Sequence, residues 1–235
     1  RMAYHTEWPV DKRIEALPYK IIPGEVGNFR NDVFLERAIV GERLRLAMGL
    51  PLRKFSEFSL LSDGVEKALD PEIYYEKPLI NVIKFACNRC PDNVVKITNV
   101  CQGCLEHPCM SVCPRQAISD KSQIFQTIQA VKSDTPVYVA LAPAFVGQFG
   151  PEGVPERMRK AFQRLGFADV YEVAIGADLC VIEEAADFLE EVPEKHKFMV
   201  TSCCPSWSDM VKKLFPQFEK NISVAFTPMV LTARM

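Results

Sequence analysis

Apolar and polar positions divide this chain into two textures. Over residues 31–48 the segment NDVFLERAIVGERLRLAM spaces Phe34, Ala38, Leu44 and Met48 between polar residues, as an amphipathic helix does. Asn31 or Asp32 is placed to cap it. Pro51 and the Ser-rich stretch to Gly64 break that pattern. Residues 1–28, rich in proline, glycine and charge, read as an irregular arm, and residues 79–85 as a strand or extended entry into a cysteine-rich stretch. Beyond that stretch, short apolar runs alternate with amphipathic ones. Residues 122–131 have helical period, and 136–142 (PVYVALA) form an apolar run bounded by prolines, as a buried strand would. Residues 154–165 predict a basic amphipathic helix ended by Gly166. A second strand over 169–175, a helix over 177–191, a third strand over 197–202 and a helix over 206–215 follow. This alternation predicts an α/β fold, α+β over the whole chain, with a sheet that is at least partly parallel. Ligands of such sheets bind beyond the carboxyl ends of strands, where Ala142-Pro143 and Cys203-Cys204 fall.

Cysteine usage changes the picture most. Six of the nine cysteines lie within 27 residues, from Cys87 to Cys113, which points to cluster ligands rather than scattered core thiols. A secreted disulfide scaffold fits poorly, because it would spread its bridges through the fold, and a bridge between neighbours Cys203 and Cys204 would be strained. The first twelve residues lack an apolar signal core, and no apolar stretch approaches the ~20 residues of a bilayer span. A reducing cytoplasm is therefore expected. The net charge of −2 carries no footprint of nucleic acid or membrane.

Cys101-x2-Cys104-x4-Cys109-x3-Cys113-Pro114 resembles the bacterial ferredoxin run, whose closely spaced thiolates fold a loop around an iron–sulfur cubane. Four residues stand between the second and third cysteines where that run has two. Cys87-x2-Cys90 adds a pair, so the expected metal ligands here are Cys87, Cys90, Cys101, Cys104, Cys109 and Cys113. Zinc is the alternative, since CxxC pairs also make tetrahedral sites. His107 is a further possible ligand, or a loop residue. Six cysteines complete one four-thiolate cluster and leave two ligands over.

The second motif is Thr201-Ser202-Cys203-Cys204-Pro205-Ser206-Trp207, at a predicted strand end and helix start. A helix N-terminus lowers a thiol pKa and favours an anionic cluster, so one thiol of the pair can bind metal while its neighbour stays free for proton chemistry. TSCCPSW resembles the first signature of the iron-only (FeFe) hydrogenases. That resemblance implies Cys204 as ligand of the H-cluster cubane and Cys203 as proton relay beside its diiron subsite. It further implies that Ala142 and Pro143, in Leu141-Ala142-Pro143-Ala144, pack against the diiron unit. In Asp178-Leu179-Cys180-Val181-Ile182-Glu183-Glu184-Ala185-Ala186-Asp187 it makes Glu184 and Asp187 the carboxylates of the proton path, with Thr227 as a hydroxyl residue. Glu184 and Asp187 are also three apart on one helix, so their carboxyl groups share a face; the plain alternative is a solvated acidic face, which Glu190 and Glu191 extend. Cys180 reads as core.

The resemblance spans residues 28–235 and is closest to the branch with ferredoxin-type modules. It implies an arm and helix over 1–78, a ferredoxin-like 4Fe-4S module over 79–119, and over 120–235 the N-terminal lobe of a hydrogenase catalytic domain. Only the first H-cluster signature is present, so a partial sequence is expected, inactive on its own. The implied activity is reversible reduction of protons to H2, through 4Fe-4S clusters and an H-cluster, with ferredoxin or flavodoxin as electron carrier and maturation factors to insert the H-cluster. A non-catalytic hydrogenase-like iron–sulfur protein of cluster assembly and an H2-sensing relative are the other readings.

Overall fold

The computed structural model describes residues 11–70, 79–87, 97, 98, 101, 103, 104 and 107–235. The chain divides into two compact units, Arg1–Ala130 and Val131–Met235.

In the first unit the expected irregular arm is partly helical: α1 (Asp11–Glu15) and α2 (Leu17–Ile21) precede the long helix α3 (Val33–Ala47). Asp32 caps α3, its Oδ1 accepting from the amides of Phe34 (2.8 Å) and Leu35 (3.0 Å). The helix is where the pattern predicted it, but its buried face is different. Phe34 is 69% exposed, whereas Val33, Glu36, Ile39, Glu42, Arg45 and Leu46 are buried. The reason is a polar stripe that satisfies loop backbone. Glu36 accepts from the amides of Asn28 (2.9 Å), Phe29 and Arg30. Arg45 donates to the carbonyls of Pro51 (3.0 Å), Leu60 (3.2 Å), Leu61 (3.0 Å) and Asp63 (2.9 Å). Glu42 takes the amide and, at 2.6 Å, the Nε of Arg53. Backbone groups in a buried loop need partners, and these side chains supply them.

After the short helix α4 (Val65–Ala68), strand β1 (Ile80–Val82) is shorter than expected, because residues 84–86 turn into a 3₁₀ helix. Helix α5 (Pro108–Ser111) leads to β2 (Ile118–Asp120), which the pattern did not predict and which pairs antiparallel with β1, Val82 opposite Ile118. This pairing closes the ends of the cysteine-rich segment. Two apolar cores support it. Ile14, Met48, Leu50, Leu61, Ala68 and Phe125 form one. Ile39, Val82, Ile83, Ala86 and Ala117 form the other, with Cys87 and Cys113 packed against it. Helix α6 (Ile124–Lys132) follows.

The second unit has the predicted β-α-β unit: β3 (Tyr138–Leu141), helix α7 (Pro155–Arg164) and β4 (Asp169–Glu172), with β3 and β4 parallel, Tyr138 opposite Asp169. Gly166 ends α7 at φ +103°, a conformation that suits glycine. The second strand stops at Glu172 rather than residue 175, because α8 (Val173–Glu191) begins at once. The third strand expected over 197–202 is reduced to one parallel bridge, Val200 with Ile222, made by Val200 N–H to Asn221 O and Ser223 N–H to Val200 O (2.8 Å each). Helices α9 (Pro205–Leu214) and α10 (Pro228–Arg234) complete the unit. Gly176 lets α8 and α10 meet closely: a Cβ there would stand 2.2 Å from Pro228 O and 2.4 Å from Thr232 Oγ1. Among the described residues no helix is long and apolar enough to cross a membrane.

Candidate functional site

In the second unit the site is built at the start of α9. Cys204 is the N-cap residue, its carbonyl accepting from Ser208 N–H at 3.1 Å while Pro205 occupies the first turn, where its missing N–H costs nothing. Its thiol makes no capping bond, and Cys203 and Cys204 are both exposed. The segment before them is anchored by the Val200–Ile222 bridge and by Ser202 Oγ donating to Ala225 O at 3.3 Å.

Helix α8 presents the acidic part of the site. Cys180 is 2% exposed, and burial pushes its thiol pKa up, with further upward pressure from Glu184, Cys203 and Glu183. Cys203 and Glu184 are thus each within electrostatic reach of Cys180. Glu184 Oε1 is buried and has no hydrogen-bond partner, although the residue as a whole is half-exposed. A buried carboxylate oxygen without a donor is costly, and an ordered water would relieve it. Asp187 lies half-buried one turn further on. Thr227 is placed differently: its Oγ1 accepts from Val230 N–H at 3.4 Å, capping α10, whose Pro228 meets α8 at Gly176, about 12 Å along the axis from Glu184. Ala142 and Pro143 stand at the carboxyl end of β3, where a 3₁₀ turn begins, and both are exposed. A cavity of about 460 Å³ lies elsewhere on the unit, lined by Tyr138, Ala140, Tyr171, Ile175 and Thr232, and none of the expected site residues faces it.

In the first unit Cys87 and Cys113 converge on one apolar core. Cys113 sits in a cradle of backbone N–H groups. Burial would raise its thiol, but the amides of Ala117, Arg115, Ile118 and Gln116 bring it below the ordinary value, and Ala117 N–H lies 3.3 Å from Sγ. Such a cradle fits a metal-bound thiolate. Cys101 and Cys104 are exposed and Cys109 half-buried, while Cys90 lies outside the described residues. His107, with φ +44°, caps α5 and turns Nδ1 toward Asp120 Oδ2 at 3.9 Å. Among the described residues no three His, Cys, Asp or Glu side chains stand close enough to hold a metal ion.

The sequence reading missed Cys180 as a neighbour of Cys203. Its i,i+4 spacing to Glu184 was the available signal. It also missed the arginines that meet the Cys113 turn, for which no local pattern exists.

Comparison with known proteins matches residues 135–235 to the model described as iron only hydrogenase large subunit, C-terminal domain. The chain is 31% identical over 145 residues to the NADP-reducing hydrogenase subunit HndD of Solidesulfovibrio fructosivorans, a match covering 55% of this chain and 24% of that protein. It is 32% identical over 125 residues to iron hydrogenase 1 of Clostridium pasteurianum, covering 49% and 22%. With the periplasmic Fe hydrogenase large subunit of Nitratidesulfovibrio vulgaris it shares 31% over 75 residues, covering 31% and 18%. These matches span about a quarter or less of each relative. Residues 135–235 are thus similar to the C-terminal domain of iron-only hydrogenase large subunits.

Proposed function

We propose that this chain serves an iron-only hydrogenase that interconverts protons and electrons with H2. The bound H-cluster supplies the site at which protons are reduced. Cys204 holds its cubane from the N-terminus of α9, and Ala142 and Pro143 flank it from the end of β3. Cys203 carries a proton to and from that site, Glu184 exchanges it through Oε1, and Asp187 continues the path along the exposed face of α8. A relay of this kind needs thiol and carboxyl groups that can each hold a proton for a moment. Thr227 contributes a hydroxyl at the start of α10. Cys87, Cys90, Cys101, Cys104, Cys109 and Cys113 are the residues whose spacing would offer ligands to 4Fe-4S centres, which would supply electrons received from a small ferredoxin or flavodoxin.

The observation that carries this reading is the buried, unpartnered Glu184 Oε1 one turn from Cys180, whose thiol is also within electrostatic reach of Cys203. Its test is Glu184→Gln in the anaerobically matured full-length protein that carries this chain. The expected outcome is H2 turnover lowered at least 100-fold, with iron content and cluster spectra unchanged. Wild-type turnover from that variant would remove Glu184 from the path. Absence of iron and acid-labile sulfide from the native protein would remove the hydrogenase reading itself.

A further inference from the structure

A cavity of about 330 Å³ opens in the first unit, with Phe29, Arg30, Asp32, Leu35, Ala86 and Arg115 in its wall. These residues come from three separate stretches of chain, which hydrogen bonds hold together. Arg30 Nη2 donates to Ala86 O at 3.1 Å, 56 residues away, and to Arg115 O at 2.5 Å, 85 residues away. Arg43, projecting from α3, donates through Nη2 to Gln116 O, the next carbonyl of the same turn. On the other side Glu36 fixes the loop before α3 by accepting from the amides of Asn28, Phe29 and Arg30. Each wall of the cavity is therefore anchored.

Donors exceed acceptors there. Two guanidiniums, of Arg30 and Arg43, meet at successive carbonyls, and a third belongs to Arg115 itself. Among the described residues none of the three forms an ion pair. Arg115 donates to nothing through its side chain, Arg30 keeps Nε and Nη1 unspent, and the Nε of Arg43 is buried without an acceptor. The neighbouring carboxylates are already committed: Glu36 to its three amides, and Asp32 Oδ1 to those of Phe34 and Leu35. Like charges gathered at one turn are a cost that a bound anion offsets. Guanidinium forks match the paired oxygens of carboxylate and phosphate. The rest of the wall is apolar, with the Arg30 guanidinium 5.1 Å from the centroid of the half-exposed Phe29 ring.

We infer that this cavity binds a small organic oxyanion, a carboxylate or phosphate monoester on a flat or short apolar body. Arg30 and Arg115 hold its oxygens, and Phe29 and Leu35 cover its body. No cysteine takes part, so the site is independent of any cluster and of the hydrogenase reading. A bound anion ties the loop before α3 to the turn after Cys113 and so stabilises the first unit.

The test is isothermal titration calorimetry of the purified protein with phenyl phosphate, benzoate and inorganic phosphate, and with neutral benzamide as the uncharged counterpart. Phenyl phosphate and benzoate are each expected to saturate a single site with Kd of about 1 mM or tighter. Inorganic phosphate, which lacks the apolar body, is expected to bind about tenfold more weakly, and benzamide not measurably. Arg115→Gln is the deciding variant, because its exposed side chain holds no other group and its loss leaves the carbonyl that Arg30 uses in place. It is expected to weaken both organic anions about tenfold at an unchanged circular dichroism spectrum. Wild-type affinity in Arg115→Gln overturns the inference, as does the absence of saturable binding of both organic anions to the wild type. Binding of benzamide as tight as that of benzoate overturns it too, since the guanidiniums would then play no part.

Discussion

The two units are held together by different means. The first has two apolar cores and a helix whose buried Glu36, Glu42 and Arg45 reach out to loop backbone. In the second, the buried apolar side chains among the described residues are Phe145, Val173, Cys180 and Val211, while Tyr138, Tyr171 and Ile175 remain about half exposed around its cavity. Its helices α8 and α10 approach closely at Gly176, where a Cβ would meet Pro228 O. Side-chain hydrogen bonds thus secure the first unit and close helix approach the second. The consequence for function is a sheltered Cys113 in one unit and an exposed Cys203-Cys204 pair in the other.

The sharpest way to break this contrast is Arg45→Met. It removes the donors for four carbonyls in and beside the first core and is expected to cost about 3 kcal/mol, read by urea denaturation. A loss below ~1 kcal/mol would mean that those loops are not held by the polar stripe. Next comes Gly176→Ala. Its new methyl meets Pro228 O, a backbone atom that cannot swing aside, so α8 and α10 must separate at a cost of about 2 kcal/mol. Thermal unfolding of the second unit would show it, and a neutral result would mean that the crossing is loose.

The smallest effect concerns the ion pair that joins α7 to β4. Arg159 approaches Asp169 with Nε at 2.7 Å and Nη2 at 2.5 Å, and this contact, aided by the Val170 amide, lowers the Asp169 pKa from 3.8 to about 2. The folded value is depressed, so the contribution is complete above the unfolded value of 3.8 and is lost as pH falls through about 2. The pair is largely solvated and salt will weaken it. Denaturation between pH 5 and 2 should show a slope that Asp169→Asn removes. An identical slope in that variant would assign the acid sensitivity to other carboxylates.

Much of the frame was legible in the chain. The start of α3 followed from Asp32, the end of α7 from Gly166, and the parallel pairing of β3 with β4 from two apolar runs separated by an amphipathic one. The thiol motifs located both candidate sites. Illegible were β2, too short at three residues to show alternation, and the third strand, whose apolar run forms only one bridge. The buried face of α3 was misread because hydrophobic period assumes apolar burial, whereas three of its buried side chains are charged.

The sequence by itself determined the helix starts, the turn glycines and the cysteine spacings, since capping, backbone preference and ligand loops act within a few residues along the chain. Only the tertiary structure decided that Arg43 reaches a carbonyl 73 residues away, that Cys180 lies within electrostatic reach of Cys203, and that Glu184 Oε1 is left without a donor. Those facts depend on which surfaces meet, and the free energy of such meetings is set by burial and partner geometry, neither of which has a period in the sequence.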